Sequence, residues 1–303
     1  MNPGFFVDRD LLHLAVTMMA PLILAAIGEV ITERSGILNL SIEGTVLLGA
    51  VTGFLGTFFT GHLAAGMAAA MLAYYAITLR RDQITVGLTL FVFTVGLSSF
   101  LYRIAVGVQF VPQRIPTLPR MTLPVLGDIP GIGPIVFSQH LLVYVALVLV
   151  VVVHLALTHT PLGLRLQAAG ENPRAADAIG INIFALRYGA AVLGGMLIGL
   201  GGATLPMTIT GTFTEGMSAG RGWIALMLVI FGRWRPFSIL GGAFLFAYVE
   251  ALQFRLALAA PAIPTQFLLM LPYVFAIIVL IRVFRGAAAP GALGRAYDRE
   301  ARS

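Results

Sequence analysis

Charge is the scarcest thing in this sequence: 11% of its 303 residues are Asp, Glu, Lys or Arg, while 58% are apolar. An ordinary soluble domain carries about 25% charged residues, because water must solvate its shell. A chain this long cannot wrap an apolar interior with so few charges, so its outer face must be apolar as well. Hydrocarbon accepts such a face, provided the backbone satisfies itself in helices or a closed barrel. The apolar residues come in runs of about 20, the length a helix needs to cross roughly 30 Å of hydrocarbon. The sequence therefore predicts an all-α integral membrane protein, a polytopic helical bundle.

Candidate spans are 11–31, 45–60, 62–79, 84–102, 141–157, 183–206, 222–232, 236–252 and 267–283, which gives eight or nine transmembrane helices. The stretch 222–232 is too short to cross unless it begins near Ser218. The first span is too long for the apolar core of a cleavable signal and lacks a small-residue cleavage site, so it reads as a membrane helix. Arginine placement sets the orientation. Segments 33–44, 80–83, 158–182, 233–235 and the tail from Arg282 hold 12 Arg, against 5 on the opposite side. The Arg-rich side is then the cytoplasm, the C-terminus lies inside, and nine crossings place the N-terminus outside. The outer loop 105–139 carries Pro112, Pro116, Pro119, Pro124, Pro130 and Pro134, a density that forbids a regular helix and predicts an ordered, irregular cap. Residues 1–285 read as one transmembrane domain, and 286–303, rich in Ala, Gly and Arg, as a flexible cytoplasmic tail.

Several chemistries are excluded. There is no Cys, and all 19 basic residues are Arg. A phosphate-cradling Walker A loop needs a Lys, so the chain is no conventional ATPase by itself, and no cofactor is expected on it. His13, His62, His140, His154 and His159 form no H-E-x-x-H pair, the mark of a zinc protease. Gly96-Leu97-Ser98-Ser99 is a weak echo of a nucleophile elbow without a credible His partner. The net charge of +6 comes from Arg scattered at helix ends rather than from one basic face, so nucleic acid is not an expected partner. Membrane lipid is.

Two stretches depart from the apolar pattern in the same way. Span 11–31 is followed by Gly36-Ile37-Leu38-Asn39-Leu40-Ser41-Ile42-Glu43-Gly44, and span 183–206 by Thr210-Gly211-Thr212-Phe213-Thr214-Glu215-Gly216. Each is a long helix, a Gly-bracketed break carrying a Glu, then a short helix. On the assigned topology the two long helices run in opposite directions, which is the inverted repeat with broken helices seen in transporters. A third stretch, 162–182, carries its own punctuation: Asn172 suits an N-cap, Pro173 the first helical position and Gly180 the residue past the end. It predicts a helix over 173–179, about 10 Å long. Ala175, Ala176 and Ala178 permit close approach, and Arg174 and Asp177 stand at i,i+3. The residues alone leave two uses open, a docking helix or an interfacial linker.

Here a resemblance enters. Gly163-Leu164-Arg165, Gly170-Glu171-Asn172-Pro173, Ala175-Ala176 and Gly180-Ile181-Asn182 resemble the coupling loop of ABC importer permeases in the ribose/branched-chain amino acid superfamily. The run 33–44, Glu33-Arg34-Ser35-Gly36-Ile37-Leu38-Asn39-Leu40-Ser41-Ile42-Glu43-Gly44, is similar to the matching element of the nucleoside-type branch. The likeness spans about residues 12 to 285 and is strongest to the shorter permease of a pair. It implies a bacterial plasma-membrane permease domain that translocates a nucleoside or related solute. It further implies separate ATPase subunits holding ATP and Mg, an external solute-binding protein, and a second, different permease chain. Carried over, Arg165, Glu171, Asn172, Pro173, Arg174, Ala175, Ala176, Asp177 and Ile179 would engage the ATPase. Asn39, Ser41, Glu43 and Gly44 would line the path, with Glu215 and Gly216 opposite.

Each path residue also has a plainer reading. Asn39 is either a solute contact or a helix cap, and Ser41 could satisfy local backbone. Glu43 could simply favour the N-terminus of its own helix. Glu29, an intramembrane carboxylate, could pair with Arg34 or Arg187, or handle protons. Phe91, Phe93, Tyr74 and Tyr75 could stack on a nucleobase or merely pack. Glu250 and Arg255 read as snorkelling near an outer helix end. Two alternatives accompany the leading one: a simple-sugar permease, and a proton-coupled secondary transporter using Glu29 or Glu43.

Overall fold

The computed structural model describes residues 8–59, 83–107, 111–259, 263–283 and 289–298. In chain order these form α1 (Arg9–Arg34), α2 (Ile42–Phe59), α3 (Gln83–Val106), the strand β1 (Arg120–Thr122), the single turn α4 (Gly133–Val136) and the strand β2 (Ser138–His140). There follow α5 (Leu141–His159), α6 (Pro161–Glu171), α7 (Pro173–Ala178), α8 (Ile183–Thr204), α9 (Arg221–Phe231), α10 (Pro236–Ala259) and α11 (Thr265–Val283). Among the described residues five helices are long and apolar enough to cross a membrane, while α2, α9 and α11 carry shorter apolar stretches. The expected span 62–79, with His62, Tyr74 and Tyr75, lies outside the described residues.

A helix apolar on every side must be surrounded, and α1 is: residues 15–30 are all buried. It packs against α8, α10, α9 and α5, while α2 fills the gap between α8 and α3. Among apolar solvent molecules no hydrophobic force draws helices together, so contact relies on small residues that let backbones approach. Gly28 of α1 lies on the Gly194 carbonyl of α8, and Gly201 of α8 on Pro21 and Ala25 of α1. As numbers rise along one helix they fall along the other, so α1 and α8 are antiparallel. Gly49 of α2 lies on Gly199, and Gly53 on Ala203, so α2 and α8 run parallel. A Cβ at Gly49 would sit 2.6 Å from the Gly199 Cα, a separation that no side chain survives. Large apolar side chains that find no partner line the outer faces of α3, α5 and α11, among them Val92, Ile104, Val148, Phe267 and Ile281. That is the lipid-facing surface the low charge demanded.

The first break stays inside the protein. The chain turns at Gly36, whose φ of 91° lies in the left-handed region glycine tolerates, and runs back beside α1. The Ile37 amide donates to the Thr32 carbonyl (3.3 Å) and the Asn39 amide to the Glu29 carboxylate (3.3 Å). The Gln83 side chain at the start of α3 accepts from the Leu38 amide (2.7 Å). Helix α2 therefore starts level with Glu29 rather than at the end of α1.

The second break differs in detail. Helix α8 runs into one turn of π-helix (Leu205–Thr210) that contains Pro206, then an irregular stretch, then α9. Eleven residues of α9 span about 16 Å, half a hydrocarbon thickness and too short to cross alone. Its far end meets the end of α1: the Trp234 indole donates to the Glu33 carboxylate, and Arg34 to the Trp234 carbonyl (3.3 Å).

Residues 111–139 of the expected outer loop are mostly irregular, with one qualification to an all-helical fold: β1 and β2 pair antiparallel. It is tied down by bonds from the Ile115 amide to the Gly211 carbonyl and from the Leu118 amide to the Met207 carbonyl, both 2.8 Å. Thr17 of α1 also donates to the Gln139 side chain (2.8 Å). Within the expected tail the described residues 289–298 are docked: their amides and carbonyls find partners at Gly36 after α1, at Gly170 of α6 and at Arg187 of α8.

Candidate functional site

The two breaks meet at Glu43. This residue sits in the first turn of α2, yet its carboxylate reaches the start of α9. One oxygen accepts from Ser218 Oγ (2.5 Å) and the Gly220 amide (2.8 Å), the other from the Gly222 amide (2.7 Å). Exposed amides at a helix start form a natural anion site, and here the anion is a side chain of the other half. Glycine at 222 permits it, since a Cβ there would lie 2.5 Å from the Glu43 Cα. Sequence reasoning placed Glu215 and Gly216 opposite Asn39–Gly44. The structure puts Ser218, Gly220 and Gly222 there instead. Glu215 pairs with Arg103 (2.8 Å), with side-chain exposures of 47% and 61%, so it marks an exposed rim. The pattern Ser218-Ala219-Gly220-Arg221-Gly222, small residues opening a short helix, was the legible signal for the true partner.

Asn39 and Ser41 are closed in. The Asn39 side chain donates to Glu29 (3.2 Å) and accepts from both the Ser41 amide (3.1 Å) and the Ser41 hydroxyl (2.7 Å). Both residues are buried. Asn39 thus fixes the break through its own polar atoms, and Glu29 pairs with Asn39 rather than with Arg34 or Arg187. Gly44 serves helix packing, lying on Thr94 and the Phe91 carbonyl of α3. Beside this junction stands an aromatic pair: Phe91 and Trp223 meet edge to face with centroids 5.5 Å apart, each half-buried. Trp223 follows Gly222 directly and went unnoticed in the sequence. Glu250 is no snorkelling residue. It is buried against Arg221 in a salt bridge, while Arg255 pairs with Asp8 (2.9 Å).

Helix α7 is capped at Asn172 as its sequence predicts, and α6 and α8 are capped in the same way. Thr160 accepts from the Gly163 amide (3.2 Å), Asn172 from Ala175 (3.1 Å) and Asn182 from Ala185 (3.0 Å). Such caps stabilise a helix start by about 1 kcal/mol each, a large share for the six residues of α7. Arg165, Glu171, Asn172, Arg174, Ala175 and Ile179 are exposed, and Pro173 is half-buried. Two residues assigned to the same surface face inward: Ala176 is buried against Ala169, Ile183 and Tyr297, and Asp177 accepts from the Tyr297 hydroxyl (2.8 Å). Ile179, Leu164, Arg165, Ala168, Asn182 and Leu186 line a groove of about 820 Å³.

Residues 11–281 match the family described as branched-chain amino acid transport system / permease component. Three relatives cover almost the whole chain. A protein of Haloferax volcanii provisionally named as a glucose ABC transporter permease, TsgC13, is 37% identical over 96% of this chain and 98% of its own length. The guanosine ABC transporter permease protein NupQ of Bacillus subtilis is 35% identical over 92% of this chain and 93% of its own. The nucleoside ABC transporter permease protein NupC of Lactococcus lactis is 35% identical over 91% and 93%. No solved structure matches. A multi-pass apolar bundle, two internal breaks and a short capped helix thus coincide with a family match over nearly all of the sequence. The chain belongs to this permease family: it is a membrane-embedded, non-catalytic subunit of an ABC transporter, a class that works with ATPase and solute-binding partners.

Proposed function

We propose that this chain forms half of the translocation path of a nucleoside importer in a bacterial plasma membrane, with its C-terminus in the cytoplasm. A different permease chain supplies the other half, and the ATPase docks on the exposed face of α7. Asn39, Ser41, Glu43 and Gly44, with Ser218, Gly220 and Gly222 across from them, form the central junction, and Glu215 and Gly216 form its outer rim. The antiparallel course of α1 and α8, each followed by a break and a helix starting at Glu43, supports an inverted repeat. ATP binding on the partner draws α7 inward, and the junction opens to one side of the membrane at a time. In the conformation described, the polar atoms of Asn39, Ser41 and Glu43 are occupied by the protein, so solute passes only once the junction parts. The same occupancy speaks against the proton-coupled reading, because both Glu29 and Glu43 are held by protein donors.

The observation that carries the substrate class is the Phe91–Trp223 pair beside that junction. Two part-exposed rings at bilayer depth offer a nucleobase a stacking surface, and one base–aromatic stack is worth about 1–3 kcal/mol. We expect Trp223→Ala to lower nucleoside uptake by about tenfold or more, Trp223→Phe to retain most of it, and solute affinity of the separate binding protein to stay unchanged. Uptake by Trp223→Ala at the wild-type rate would overturn the nucleoside assignment. A second reading, a simple sugar, is favoured by the name of the Haloferax relative. Under it Trp223→Ala transports glucose normally, and unlabelled nucleoside fails to compete.

A further inference from the structure

The segment 289–298 crosses the cytoplasmic ends of four elements. The Gly294 amide donates to the Gly36 carbonyl at the turn after α1 (3.2 Å), and the Ala292 amide to the Gly170 carbonyl of α6 (2.8 Å). The Gly291 amide donates to the Glu171 carboxylate (3.1 Å) and the Tyr297 hydroxyl to Asp177 on α7 (2.8 Å). The Tyr297 ring, buried, lies 5.7 Å from that of Phe184 on α8. One more bond ties this strap to the membrane interior. Arg187 of α8 is fully buried, and no salt bridge reaches it among the described residues. Its guanidinium donates instead to two carbonyls, Ser35 at the C-terminus of α1 (3.0 Å) and Arg295 of the strap (3.2 Å). The negative end of α1 suits a cation there. Its remaining nitrogen covers Gly36, where a Cβ would lie 2.6 Å away.

These contacts form a continuous chain from α7 through Asp177, Tyr297, Arg295 and Arg187 to Ser35 and Gly36, where the first break begins. Helix α7 needs such help. It has six residues, and one of them, Ala176, is buried, so little of its own packing obliges it to move with the membrane helices. We propose that Tyr297 and Arg187 are positioning residues of the transport cycle: through the strap they couple displacement of α7 to the break 36–41, and so to the Glu43 junction. The proposal rests on the reading of α7 as the ATPase-docking helix.

The test uses the whole transporter in proteoliposomes, with permease partner, ATPase and solute-binding protein, and records solute taken up per ATP hydrolysed. A strap that only adds stability would lower uptake and hydrolysis together through the amount of assembled complex. A coupling strap lowers their ratio. Tyr297→Phe keeps the ring on Phe184 and loses the bond to Asp177. We expect its uptake per ATP to fall by about tenfold, the equivalent of one hydrogen bond to a charged group, at unchanged assembly and unchanged basal hydrolysis. Asp177→Ala should do the same, while Asp177→Asn, whose amide oxygen still accepts, should restore the ratio. An unchanged ratio in Tyr297→Phe overturns the proposal, as does a loss equal in uptake and hydrolysis. Asn172→Pro, which breaks the start of α7, separates the two claims. If it leaves uptake intact, the docking-helix reading fails; if it abolishes uptake while Tyr297→Phe couples normally, the strap alone fails.

Discussion

Glu43 was legible as a residue of interest and illegible as to its partner. A carboxylate in a polar run between apolar spans stands out in any hydropathy reading. What it touches is fixed by a segment 175 positions further along, and no local pattern reports that. Asn39 makes the same point from the other side. Its amide looked suited to solute because the sequence could not show that the chain doubles back at Gly36 and brings Asn39 onto Glu29. Where polar atoms satisfied neighbours one turn away, as at Asn172, sequence and structure agree closely. The residue scale also carries a pH dependence. His140 is buried at the start of α5, and burial holds its imidazole below the usual value, opposed by its bond to the Leu118 carbonyl (2.6 Å). As pH falls through about 6.5 the unfolded chain takes up this proton before the folded one does, so stability is full above that range and declines below it. Thermal unfolding in detergent should drop between about pH 7.5 and about pH 5.5, and the drop should shrink in His140→Gln. An identical slope in the variant would assign the pH dependence elsewhere.

Helices, by contrast, were mostly written in the apolar pattern, and their starts in the capping residues. The exceptions have physical causes. Helix α9 is short because irregular backbone precedes it, and the surrounding protein satisfies part of that backbone. The strap looked loose because Gly, Ala and Pro carry no periodic signal, while its anchoring runs through backbone groups. Glycine content was visible, but which glycines face each other was not. The parallel contact of α2 with α8 depends on Gly49 and Gly199, so Gly49→Leu should prevent that packing. We expect a protein that inserts in the membrane but unfolds in mild detergent and transports nothing, read by size-exclusion chromatography and uptake. A monodisperse, active Gly49→Leu would show that α2 can stand off from α8.

At the scale of the molecule, the shortage of charge foretold the environment, and the exposed apolar faces of α3, α5 and α11 agree with it. How a bundle of this kind harvests energy is a property of no single helix. Glu29 and Glu43, the carboxylates of the proton-coupled alternative, are engaged with protein donors, and α7 presents a capped, exposed face. Uptake in vesicles should accordingly require ATP inside and ignore a proton uncoupler. Uptake that collapses with the uncoupler at constant ATP would return the chain to the secondary-transporter reading.

The meeting of two helix starts on one carboxylate also bears on what can pass. Each helix start is worth about half a positive charge, so α2 and α9 together offset about one negative charge. Under the proposed function, a carboxylate at Glu43 set against those two ends would bring the constriction near electrical balance, which would suit an uncharged solute. Glu43→Gln would uncover the two positive ends without changing the outline of the passage. If this junction is the path, such a pore would begin to attract anions that the wild-type carboxylate turns away.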